Sequence, residues 1–181
     1  MGEAGPQRIA LISIHPRHAD AILDGTKHVE LRRVPFASDT THAILYATAP
    51  VSAVVGWFRV RSIEADTITG IWDRFGRVSG ISRREHRAYF AGARQASAIR
   101  IAEAHRLLRS QPLVSIDGVQ RPPQSYQYVD PEAAQRVLVA ASVMAGAFGP
   151  QAQHERPDLG AAGVSPRVAR SPRGHAETVT A

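Results

Sequence analysis

The chain has 181 residues, of which 44% are hydrophobic, and a formal net charge of +6 from 22 Lys+Arg against 16 Asp+Glu. That is one domain's length with apolar residues enough for a core, and the positive balance points to anionic partners, nucleic acid first. The absence of cysteine excludes disulfides, thiolate zinc sites and a thiol nucleophile; no 18-residue apolar run or basic-then-apolar leader is present, so neither a membrane span nor a signal peptide is expected.

Residues 8–14 (RIALISI) form a short β-branched apolar run, the pattern of a buried strand. His15-Pro16 stops it, and Pro16 suits the first turn of a helix over 17–24 that turns Ala19, Ile22 and Leu23 inward. Gly25 follows as the glycine that closes a helix. From 27 to 33 the chain alternates, with Val29 and Leu31 on one side and His28, Glu30 and Arg32 on the other: a strand with a core face and a charged face. Strict alternation sets Lys27 opposite Glu30, although the strand's start still lets it reach the same pocket. Residues 43–47 (AILYA) predict a second buried strand and 52–64 a long one, in which Gly56 marks a bulge or a close approach. Short helices are expected over 67–75 and 82–91, and strands over 97–106 and 113–116. Pro122 and Pro123 make 121–126 extended. Asp130 as cap and Pro131 in the first turn open a last helix over 130–147. The remainder is rich in Ala, Gly, Pro, Ser and Arg, without apolar periodicity, the composition of a disordered tail. The chain therefore divides into a domain at 7–129, a C-terminal helix at 130–148 and a disordered tail at 149–181. The fold class is α+β, a small mixed β-barrel with short inserted helices.

Lys27 is the one lysine among 22 basic residues, leaving 21 arginines. Arginine is a permanently charged planar fork, whereas lysine is a compact ammonium whose pKa moves on burial, so the exception suggests a site that needs an ammonium. Lys27, Glu30 and Arg32 beside a glycine turn can hold a phosphate, a base edge or a small polar ligand, or supply acid/base groups. A solvated ladder of surface ion pairs is the equal alternative. His15 is expected as a hydrogen-bonding group at the strand end. His15 and His18 lack acidic or cysteine companions, so no metal site is read there. Arg121, Gln124 and Tyr126, on a rigid extended segment, suit a groove wall that stacks a base and bonds its edge. The alternative is a proline-braced loop that packs Tyr126 or Tyr128 on the barrel. Arg59 and Arg61, interleaved with Phe58 and Val60, fit a nucleic-acid surface or simply an exposed strand face. Phosphate-loop, serine-hydrolase-elbow and zinc-protease motifs are absent from the sequence.

The segments Ser13-Ile14-His15-Pro16 and Ala21-Ile22-Leu23-Asp24-Gly25-Thr26-Lys27-His28-Val29-Glu30-Leu31-Arg32 resemble the opening of an ASCH domain, of the PUA-like superfamily of small β-barrels. Its Gly-x-Lys-x-x-Glu-x-Arg signature is met by Gly25, Lys27, Glu30 and Arg32, and the resemblance extends over residues 8–129 through Tyr46-Ala47-Thr48-Ala49-Pro50 and Val55-Gly56-Trp57-Phe58. It implies a PUA-like barrel with a cleft beside the first helix where the signature residues meet. It also implies RNA binding, with one branch of amidohydrolases that deacetylate N4-acetylcytidine and a member described as a ribonuclease. Of the amidohydrolase branch's lysine, threonine and glutamate, Lys27 matches the first; Glu30 stands at the threonine, and residues 75–83 offer no carboxylate.

The expected function is thus the binding of RNA or a modified nucleoside in a cleft lined by His15, Lys27, Glu30 and Arg32, with Arg121, Gln124 and Tyr126 forming the other wall. The alternative is a small hydrolase, an amidohydrolase on acetylated cytidine or a ribonuclease, that uses Lys27 and Glu30. No cofactor, metal or membrane partner is expected, and the protein is expected to be a cytoplasmic monomer.

Overall fold

The computed structural model describes residues 8–145. The chain runs β1 (Arg8–Ile14), α1 (Pro16–Leu23), β2 (Val29–Arg32), β3 (Thr40–Ala47) and β4 (Ala53–Asp66). It continues through α2 (Ile68–Phe75), α3 (Arg83–Tyr89), β5 (Ala96–Gln111), β6 (Tyr126–Val129) and α4 (Pro131–Ala145). The six strands form a single sheet in the order β2-β5-β4-β3-β1-β6, with β1 and β3 parallel and every other pair antiparallel.

The unbroken apolar run of β1 reflects burial on both faces. Ile9 and Leu11 pack with Ile44, Val54 and Trp57 beneath Ala133, Ala134 and Val137 of α4. Ala10, Ile12 and Ile14 turn the other way, onto Ala19 and Ile22 of α1 with Leu45, Phe58 and Ile99. A third cluster joins Val29 and Leu31 of β2 to Ile71 of α2 and to Phe90. The alternate faces of β2 thus have different jobs: one anchors the α2–α3 segment, and the other carries charge. Asp130 caps α4 by accepting from Glu132 N at 2.8 Å, while the part of the chain assigned to a tail lies outside the described residues.

Two expectations change. Residues 113–116 do not form a strand; Leu113–Ser115 is a single 3-10 turn, whose Leu113 and the following Ile116 are buried against the α4 face. The barrel does not close as a hydrogen-bonded ladder, because the sheet ends at β2 and β6, which are four and four residues long and share no backbone pairing. Side chains span that seam instead. Arg32, the last residue of β2, donates to Ser125 O at 3.1 Å, one residue before β6. Tyr126 of β6 donates to Pro35 O at 2.8 Å, and Ala37 N donates to the Tyr128 hydroxyl at 2.7 Å. Proline cannot supply a ladder N–H, and Pro35, Pro122 and Pro123 flank the seam on both sides.

Candidate functional site

The turn after α1 sets the site. Gly25 has φ +72, the left-handed conformation that favours glycine, and Thr26 N and Lys27 N both donate back to Ala21 O at 2.9 Å. Lys27 therefore leaves a fixed turn rather than a pleated strand, since β2 begins at Val29. Its ammonium passes under the 3-10 turn Gly76–Val78, where it donates to the carbonyl of buried Ser79. The adjacent backbone is clasped too, with His28 N donating to Val78 O at 2.9 Å. Gly80, at φ +68, holds its α-carbon so close to Lys27 that a Cβ would lie 3.3 Å from the lysine stem. Lys27 is 2% exposed.

From this position Lys27 Nζ lies 3.3 Å from Glu30 Oε2, and Arg32 Nε lies 3.0 Å from Glu30 Oε1. The lysine thus meets the carboxylate from the side that alternation assigns away from it. Glu30 and Arg32 are 7% and 5% exposed, so the solvated ion-pair ladder does not apply. Arg32 adds fork contacts, from Nη1 to Ser125 O and Oγ at 3.1 and 3.3 Å and from Nη2 to Ser13 O at 3.2 Å. Its Nε–H faces Glu30 without a well-aimed hydrogen bond, leaving that donor unsatisfied. Burial pushes the Glu30 carboxyl up, but Lys27, then Arg32, and the hydrogen bond from Lys27 together outweigh it and hold the group below its ordinary 4.5. One carboxylate between two cations leaves a buried net charge of +1.

These groups line a cavity of about 350 Å³ whose rim includes Ser13, His15, Arg17, His18, Glu85 and Tyr89. His15 is exposed and caps α1, its Nδ1 accepting from Arg17 N at 3.3 Å. One turn on, burial and then the charge of Lys27 hold the His18 imidazole below its ordinary pKa of 6.5, so it is neutral at pH 7. On the opposite rim α3 starts with a capping box: Ser82 Oγ accepts from Glu85 N, and the Glu85 carboxylate accepts from Ser82 N. Glu85 also pairs with Arg17 of α1 across the mouth. The bond from Arg17, followed by those from Ser82, holds the Glu85 carboxyl down at about 2.

Of the residues singled out in the sequence, His15, Lys27, Glu30 and Arg32 come together in this cavity. Arg121 and Gln124 are exposed and do not line it. Tyr126 is occupied at the seam, with its ring edge-on to Phe36 at 4.8 Å. The proline segment contributes backbone instead: Pro123 O accepts from Ser13 Oγ at 2.6 Å, and Ser125 accepts from Arg32. Sequence reading gave no site role to Ser13, His18, Ser79, Ser125 or Tyr89. Two of them carried a signal: Ser13 stands in the ASCH-like opening segment, and His18, weighed only as half of a metal pair, has helical spacing from His15. Among the described residues there is no cluster of three or more potential metal ligands, and no helix is long and apolar enough to cross a membrane.

No family model matches the chain. The chain is 30% identical over 142 residues to an ASCH domain-containing ribonuclease of Zymomonas mobilis subsp. mobilis, which covers 76% of this chain and 95% of that protein. It is 28% identical over 120 residues to a Ureaplasma parvum protein named large ribosomal subunit protein uL22, of whose length it spans 38%. The crystal structure of the Zymomonas mobilis ASCH protein superposes with a TM-score of 0.64 at 31% identity, covering 72% of this chain and 94% of that one. With a relative at 30% identity matched over nearly its whole length, and that family's crystal structure superposing on this fold, the chain belongs to the ASCH domain family.

Proposed function

We propose that this protein binds single-stranded RNA and takes one nucleotide of the strand into the cavity above Lys27, Glu30 and Arg32. The observation that carries this reading is the buried net charge of +1 at the base of a 350 Å³ cavity. A buried charge excess attracts an anion or an electron-rich base edge far more strongly than a surface one, because water screens it less. Glu30 acts here as the group that fixes the two cations, since a carboxylate held below its ordinary pKa between them is a poor proton acceptor. The volume lies within the usual range for a small-ligand pocket, and the relative named a ribonuclease supports RNA as the substrate class. Fluorescence anisotropy with a labelled RNA decamer tests it. The expected result is binding that weakens steeply with salt and is lost in Lys27→Met; no binding by the wild type at low salt would overturn it.

Phosphodiester cleavage is the second reading, favoured by the ribonuclease relative and by a neutral imidazole, His18, on the cavity rim beside Lys27. A neutral imidazole can accept the proton of an attacking hydroxyl as its oxygen bonds to phosphorus and the P–O bond to the leaving nucleotide breaks, the leaving oxygen taking a proton from solvent while the Lys27 ammonium faces the charge growing on phosphate. RNA incubated with the protein and resolved by length should then shorten with the wild type and stay intact with His18→Gln. Unchanged cleavage by that variant would place the base elsewhere.

A further inference from the structure

A second cavity of about 360 Å³ lies on the other side of the Lys27–Glu30 segment, lined by His28 and Val29 together with Arg61, Arg74, Arg100 and Phe75. Lys27 and Glu30 face the first cavity and His28 and Val29 the second, so the two are separated by the 27–29 backbone and by the turn at 76–80 that is clasped onto it. No carboxylate lines this second cavity. Arg74 and Arg100 lie over the Phe75 ring at 5.3 and 6.0 Å, and two carboxylates outside the cavity balance their two charges: Arg74 pairs with Glu64 and Asp66 at 2.7 and 2.8 Å, and Arg100 with Glu64 at 3.8 Å, so the excess charge here is that of Arg61. The Arg61 side chain is exposed and has no hydrogen-bond or ion-pair partner among the described residues. It also sits in a β-bulge: β4 pairs Val60 with Ile101 and Ser62 with Arg100, leaving Arg61 as the extra residue. A bulge re-aims the side chain it carries, and here it turns an unpaired guanidinium toward two others. The His28 backbone is fixed beside the cavity, its N–H donating to Val78 O at 2.9 Å and its carbonyl accepting from Ile101 N at 3.0 Å.

We infer that this arginine cavity is a backbone-phosphate subsite for an RNA strand whose neighbouring nucleotide occupies the first cavity. The inference rests on the RNA reading proposed above and extends it from one nucleotide to a strand that passes over the turn at 76–80 between the two cavities. Guanidinium forks suit phosphate oxygens, and an arginine without a protein partner gives up no ion pair when it takes one.

The test compares wild type, Arg61→Gln and Arg61→Lys on two probes: a labelled RNA decamer followed by anisotropy across a salt series, and uridine, which has no phosphate, followed by NMR titration. Each phosphate contact to a single strand contributes about 0.7 to the slope of log affinity against log salt. Arg61→Gln is expected to lower the decamer slope by about 0.7, Arg61→Lys to restore it, and neither to change uridine binding. If Arg61→Gln keeps the wild-type slope while Lys27→Met loses the decamer, the subsite is overturned and the RNA reading stands. If the wild type does not bind the decamer, both fall. Equal weakening on the two probes would also overturn the subsite, because Arg61 would then act through the first cavity.

Discussion

Glu30 is the residue on which the site's electrostatics turn. Two cations share its carboxylate at 3.3 and 3.0 Å, and all three groups are buried. Removing one member of such a set leaves charge uncompensated in a poorly hydrated place, which costs about 3–5 kcal/mol. Glu30→Gln is therefore expected to lower the unfolding free energy by about that amount in denaturant titration at pH 7. The pH dependence follows from the same contacts. The folded-state value lies below the ordinary 4.5, so ionised Glu30 adds stability above pH 4.5 that is lost as the pH falls through the depressed value. Wild type and Glu30→Gln should then converge in stability below pH 4.5, and parallel curves down to acid pH would show that Glu30 is not held low. Lys27→Arg tests why an arginine-rich chain keeps one lysine. A compact ammonium fits between Ser79 O, Glu30 and the Gly80 backbone, whereas a planar fork is wider than that slot. RNA affinity should fall at least about 10-fold, or about 1.4 kcal/mol; full affinity by anisotropy would mean that charge alone suffices.

At the level of elements, what was legible in the sequence was whatever local pattern decides. The apolar run of β1, Pro16 in the first turn of α1 and Gly25 behind it are each local, and each stands where it was read. Alternation alone turned Lys27 away from Glu30, and only its place at the strand's start left the shared pocket open to it; a pleat argument fails ahead of a strand, where a turn sets the side chain. The roles of Arg121 and Gln124 were not legible either. Which atoms of an extended proline segment turn inward depends on a distant arginine that needs carbonyl acceptors, and the segment supplies Ser125 O. Gly56 lies between these cases. Its place inside a strand marked either a bulge or a close approach, and it is both. The β4 register shifts between Val54 and Gly56, and a Cβ at Gly56 would lie 2.5 Å from His105 O and 2.6 Å from Leu23 Cδ2. The Leu23 methyl can move, but the carbonyl belongs to the β5 backbone. Gly56→Ala should therefore destabilise by about 1–3 kcal/mol, the usual cost of overpacking, seen as a lower Tm with α1 the first element to lose amide-exchange protection. An unchanged Tm would mean that the β4–β5 pairing gives way freely.

For the molecule as a whole, the seam between β2 and β6 joins stability to function. The edge strands do not pair, so the curl of the sheet rests on side chains that cross the gap, Arg32 foremost. That residue also borders the cavity and balances Glu30. The positive charge at the base of the site and the tie holding the sheet's two ends are thus the same guanidinium. Lysine in its place keeps the charge but loses the planar fork that reaches Ser125 and Ser13 together. Hydrogen bonds to a charged donor contribute about 1.5–3 kcal/mol each, and a lysine ammonium facing Glu30 can retain some of them. Arg32→Lys is therefore expected to cost about 2 kcal/mol in denaturant titration. It should also speed amide exchange in β6 while β3 and β4, paired on both sides, keep their protection. Uniform loss of protection over the sheet would show that the seam is not a separate weak point, and wild-type exchange in β6 would show that Tyr126 and Tyr128 hold it without the arginine.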